Sequence, residues 1–164
     1  ASIAANLLAG GMSSRLFQKL REEMGVCYYV NAWNDASTDH GYFQISAGVD
    51  NKRLGEVVEV IQNELKRLSL DVVPNDELGK VKAFMIGNFK MSLESTDTVA
   101  EFFGIQDILG KEIKSPVEVI NQIEAVTPND IKEFARAFFL PEKANLAVVG
   151  PSTNPSSFEK LLGM

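Results

Sequence analysis

The apolar residues of this chain change their period twice, and that pair of switches limits the folds open to it. Up to Gly25 they recur at helical spacing, from Val26 to Val49 they alternate, and from Asp50 they return to the helical repeat. Strands therefore do not alternate with helices along the chain, as a βαβ fold requires. The expected class is α+β: a two-layer sandwich with a mostly antiparallel sheet and helices on one face.

In detail, Ile3, Leu7 and Leu8 mark a helix that stops at Gly10-Gly11. A second helix is expected from Ser13 or Ser14, either of which can cap its first turn, with Leu16, Phe17, Leu20 and Met24 as its stripe and Gly25 as its left-handed end. Val26–Trp33 and Gly41–Val49 predict a hairpin with the polar stretch Asn34–His40 as its loop. Strict alternation puts Val26, Tyr28, Val30 and Ala32 on one face and Cys27, Tyr29, Asn31 and Trp33 on the other. Leu54, Val57, Val58, Ile61, Leu65 and Leu68 define the clearest helix, and the hairpin is expected to pack on it, burying Phe43, Ile45 and Val49. Further helices are expected after Pro74, after Ser95 or Thr96, at Ser115-Pro116-Val117-Glu118 and at Thr127-Pro128-Asn129-Asp130. The Phe102-Phe103 and Phe138-Phe139 pairs read as core. A last strand, Asn145–Val149, and a helix near Ser156–Leu162 would close the chain. Three strands are few for so many helices, so the expectation is one domain over residues 1–164 with a strand missing upstream of Ala1.

Composition removes several functions. A net charge of −6 lacks the basic footprint of a nucleic-acid binder. No apolar run can span a bilayer and no signal peptide is visible, which favours the cytoplasm. With one histidine, His40, and one cysteine, Cys27, the chain cannot build an N/S-dominated zinc site or a two-histidine zinc helix. There is no G-x-S-x-G elbow and no phosphate loop. By itself the domain is expected to bind no cofactor and to catalyse nothing.

The informative stretch is Gly10-Gly11-Met12-Ser13-Ser14-Arg15-Leu16-Phe17-Gln18-Lys19-Leu20-Arg21-Glu22-Glu23-Met24-Gly25-Val26-Cys27-Tyr28-Tyr29-Val30. Arg21 lies at the edge of the apolar stripe, beside Phe17, and Tyr28 follows on the strand that the helix feeds. A guanidinium and a phenol brought to one region both donate to carbonyl or carboxylate oxygens, which would suit gripping a peptide backbone. Plainer readings compete. Arg21 could pair with Glu22 or Glu23 on a solvated face. Tyr28, sharing a face with Val26 and Val30, could be a core tyrosine, with Tyr29 taking its place if the strand phase slips by one. Ser13 and Ser14 read as caps, His40 as a loop residue and Cys27 as a small buried hydrophobe.

The run G-G-M-S-S-R-L-F-Q-K-L-R-E-E-M-G-V-C-Y resembles the second, zinc-free domain of the pitrilysin/insulinase family of zinc metallopeptidases, which includes the mitochondrial processing peptidases. The resemblance implies one of two similar halves that close like a clam on a peptide. Zinc is held by the other half, through a His-x-x-Glu-His motif, in the same polypeptide or in a partner subunit. The zinc-free half of such proteins lends an arginine and a tyrosine, seven residues apart, to the substrate near the scissile bond. Arg21 and Tyr28 have that spacing and context. The implied function is the substrate-binding, non-catalytic half of a zinc endopeptidase, with a peptide or protein substrate and a zinc-bearing homologous domain or subunit as partners. A scaffold subunit of the same fold with no role in proteolysis is the alternative, and an intact Arg/Tyr pair speaks against it.

Overall fold

The computed structural model describes residues 1–151 and residue 162. Helix α1 (Ser2–Ala9) leads into a π-helix (Phe17–Glu23), strands β1 (Cys27–Ala36) and β2 (Gly41–Val49), then helices α2 (Leu54–Leu70), α3 (Asn75–Ser92), α4 (Thr96–Ile108), α5 (Pro116–Ala125) and α6 (Pro128–Phe138). Among the described residues the sheet is a single antiparallel hairpin. The class is α+β, rich in helix.

The core is made where the helical stripes meet the inner face of β1. Leu7 and Leu8 of α1, Leu16 and Leu20 around the π-helix, Val57 and Leu68 of α2 and Val73 are almost wholly buried. Helix α1 is the element that lies on β1, while α2 packs chiefly along α6. That corrects the expected seat of the hairpin on α2. The reason is size: Ala4 and Ala5, both buried beside Ile3, Leu7 and Leu8, let α1 approach the strand closely. The stripe of α2 meets Ile131 and Ala135 of α6 instead. Phe43, Ile45, Val49 and Ile61 are half-buried at the margin of this core, and the Phe43 ring meets Phe139 edge-on at 4.9 Å.

Other expectations change in the same way. Asn34 and Asp35 continue β1, paired with Phe43 and Tyr42, so the hairpin loop shrinks to residues 37–40. Residues 145–149 form no strand; they pair with neither β1 nor β2, and Val149 stands fully exposed. β propensity depends on context, and a strand-like composition does not by itself pair a segment with an edge. Phe103 and Phe138 are more than a third exposed at the rim of the core, Phe103 edge-on to Phe102 and Phe138 stacked on Phe134. The helix expected at Ser156–Leu162 lies outside the described residues, Leu162 apart. No described helix is long and apolar enough to cross a membrane.

The starts of α5 and α6 are as the sequence predicts. Ser115 Oγ accepts from the Glu118 amide while the Ser115 amide donates to Glu118, and Thr127 and Asp130 repeat the exchange. The hydrogen bonds from Ser115 hold the Glu118 carboxyl below its ordinary value, and those from the Thr127 amide and hydroxyl do the same for Asp130. Because both groups are lowered in the fold, their stabilisation is complete above the ordinary carboxylate range. It is lost as pH falls through the lowered values. Amide protection in the first turns of α5 and α6, taken relative to the free-chain rate at each pH, is expected to fall on acidification, and Thr127→Ala, which keeps the amide bond to Asp130, is expected to lessen the effect at α6 while costing about 1 kcal/mol. An acid response at α6 that is unchanged in Thr127→Ala would refute this account.

Candidate functional site

The site is built on the turn from the π-helix into β1. The chain is helical from Arg15, but Ser14 does not cap it: its hydroxyl donates to the Gly11 carbonyl at 2.6 Å, closing the preceding turn. The expected α-helix is instead wound as a π-helix over Phe17–Glu23. Its last turn is wide, with the Met24 amide donating to Lys19 O at 3.1 Å and the Val26 amide to Leu20 O at 2.9 Å. Gly25, at φ 62°, then reverses the chain into β1 as a left-handed residue. Such wide turns occur preferentially at functional positions.

Arg21 sits on this turn, exposed. Its Nη1 donates to the main-chain carbonyl of Tyr28 at 2.7 Å, and its guanidinium lies 5.3 Å from the centre of the Phe17 ring. The expected competitor, pairing with Glu22 or Glu23, is not what the fold does; Glu23 takes Lys19 instead, at 2.7 Å.

Tyr28 is not on the core face. Cys27 stands opposite Val49 and Tyr29 opposite Gly48, so Tyr28 is the extra residue of a β-bulge. Strict alternation fails at that point, and the ring projects outward, 82% exposed, while Val26 and Val30 remain buried. Tyr29 lies against the sheet: a Cβ at Gly48 would come within 2.5 Å of its Cε1, so the ring covers that glycine. The fold thus joins Arg21 to the main chain of Tyr28 and leaves the Tyr28 ring exposed to solvent.

A second cluster holds the other side of the turn, and sequence reasoning did not find it. Arg15 grips Glu77 of α3 with two hydrogen bonds, 2.7 and 2.8 Å, and lies 3.7 Å from Glu64 of α2. Glu64 also accepts from Arg67 at 2.8 Å. Its residue is 7% exposed, and its Oε2 accepts no hydrogen bond among the described residues. The bonds to Glu77 raise the Arg15 guanidinium above its ordinary value. A signal for this existed: Glu64 falls at helical spacing from Val57, Ile61 and Leu68, a carboxylate on an apolar stripe. These residues line an open cleft of about 460 Å³ that does not reach Arg21 or Tyr28. At the far end of the turn, Arg53 Nη1 donates to Met24 O at 3.2 Å.

Among the described residues no three His, Cys, Asp or Glu side chains gather to hold a metal ion. Cys27 lies at the base of the hairpin, whereas His40 is in its loop, exposed and paired with Asp39. Burial pushes the Cys27 thiol up, with the charge of Arg21 pulling the other way.

The family described as "Peptidase M16 inactive domain" matches residues 1–85. An uncharacterized zinc protease of Bacillus subtilis is 36% identical over 152 residues, covering 93% of this chain and 37% of the relative. One from Streptomyces coelicolor is 31% identical over 144 residues, covering 88% and 31%. The chain therefore spans about a third of the length of these curated relatives. A peptidase M16 inactive domain from Pseudomonas fluorescens superposes with a TM-score of 0.75 at 18% identity, covering 84% of this chain and 33% of that one. A protease from Helicobacter pylori superposes at 0.72 and 22% identity, covering 85% and 34%. These two likenesses speak for the fold, and the family match covers the turn, the hairpin and α2. The chain belongs to the family of peptidase M16 inactive domains, the half of that zinc protease family that lacks the zinc site.

Proposed function

We propose that this domain, residues 1–164 acting as one unit, grips the peptide substrate of a zinc-dependent endopeptidase through Arg21 and Tyr28. The observation that supports this most is the 2.7 Å bond from Arg21 Nη1 to Tyr28 O. It uses one donor of the guanidinium to fix its position and leaves the remaining N–H groups at the surface, on a residue tied to the one that carries the exposed phenol. A peptide carbonyl next to the cleaved bond would accept from Arg21, and Tyr28 Oη would donate to a neighbouring carbonyl. The domain itself orients the chain; the donor set here does not fit zinc, so the metal belongs to a homologous zinc-bearing domain or subunit closing over the same peptide.

The scaffold reading differs in one respect: it gives Arg21 and Tyr28 nothing to hold. Reconstitution separates the two. The untagged protein alone is expected to carry no stoichiometric zinc and to hydrolyse no peptide. Mixed with, or joined to, the zinc-bearing half, it is expected to yield hydrolysis that neither part gives alone. A tightly bound zinc held by this chain's own ligands would overturn the proposal, as would full activity of the zinc-bearing half without it.

A further inference from the structure

We propose that Arg15, through its ion pairs with Glu64 and Glu77, is a positioning residue that holds the π-helical turn in the winding that presents Arg21. The inference rests on the role given to Arg21 above, but it is carried by different atoms. A π-helix is a rare and marginal conformation, so its ends must be fixed by something outside it. Here both ends are. Arg15 enters the turn already bound to two helices, sharing Glu77 of α3 by 2.7 and 2.8 Å bonds and facing Glu64 of α2 at 3.7 Å. The exit is held by Arg53 on Met24 O and by the Val26 amide on Leu20 O.

Between these anchors Leu16 and Leu20 are wholly buried, so the turn cannot slide. Rewinding the segment as an α-helix would shift the residues after the change by roughly 100° about the axis for each residue displaced. Arg21 would then leave the carbonyl of Tyr28. Glu64 is the costly member of the cluster: a carboxylate on the core face, half-satisfied by Arg67 and otherwise dependent on the charge of Arg15. A surface pair would hold the turn less firmly, because solvent screens it and both side chains stay mobile.

The test uses two variants that avoid leaving Glu64 unpaired in the core: Glu77→Ala, and the pair Arg15→Met with Glu64→Met. The readouts on the protein itself are the Arg21 side-chain nitrogen signals and exchange of the Val26 amide. In the native protein the bond to Tyr28 O is expected to keep the two Nη signals distinct. In both variants they are expected to merge, and Val26 exchange to quicken about tenfold, while far-UV circular dichroism is unchanged. In the assembly with a zinc-bearing half, kcat/KM is expected to fall about 10–100-fold, with little further loss when Arg21→Ala is added. Unchanged Arg21 signals and Val26 exchange in a folded variant would overturn the proposal. Should the paired variant fail to fold, Glu77→Ala decides alone. If Arg21→Ala proves silent while these signals still move, the positioning stands and the peptide-gripping role falls.

Discussion

Arg21→Ala is expected to lower kcat/KM for peptide hydrolysis about 10²-fold in the assembly with a zinc-bearing half, with fold and metal content unchanged. The group is exposed and carries no ion pair with its helical neighbours, so its removal leaves no buried charge behind. What is lost is a donor held in place by the 2.7 Å bond to Tyr28 O and backed by the Phe17 ring. If the donor holds substrate and transition state equally, the loss falls on KM; if it strengthens as the carbonyl gains charge, it falls on kcat. Arg21→Lys should rescue poorly, because a point charge cannot donate to Tyr28 O and to a peptide with one planar fork. Tyr28→Phe keeps the ring and the main-chain acceptor, so its loss isolates the hydroxyl. The double variant should be less than additive where both groups act on one peptide segment. Near-normal rates in both single variants would reduce Arg21 to a strut for the bulge.

Leu20→Ala should cost about 2–5 kcal/mol in urea unfolding. Leu20 is completely buried and is the residue whose carbonyl receives the Val26 amide, so the cavity opens directly under the wide turn. Ile45, half-buried at the rim, should cost well under that when cut to alanine, since the site can collapse and water can enter. A cost below about 1 kcal/mol for Leu20→Ala would mean that the turn is not anchored to the core as described.

Much of this was legible in the sequence because local chemistry decided it. The glycine stop at Gly25, the proline-led helix starts at Ser115 and Thr127 and the long stripe of α2 are each set by residues within a turn of one another. The motif brought Arg21 and Tyr28 forward as candidates, and the fold ties Arg21 to the main chain of Tyr28. What escaped was decided at a distance. The bulge at Tyr28 depends on how β1 pairs with Gly48 and Val49, and alternation within one strand carries no trace of it. The ion cluster joins Arg15 to a partner 62 residues away, a tie that no local pattern shows. Likewise Asn145–Val149 reads as a strand by composition but pairs with neither described strand.

The bulge has a further consequence, for how such a domain can vary over time. An inserted residue that lacks a cross-strand partner and points away from the core is decoupled from folding. Exchanging the side chain at Tyr28 leaves the ladder, the buried Val26 and Val30 and the acceptor for Arg21 in place, because that acceptor is main chain. Most positions this close to a core answer to stability first and to contact second. Position 28 is released from the first of these demands, so a substitution there changes the exposed surface while the scaffold beneath it holds still.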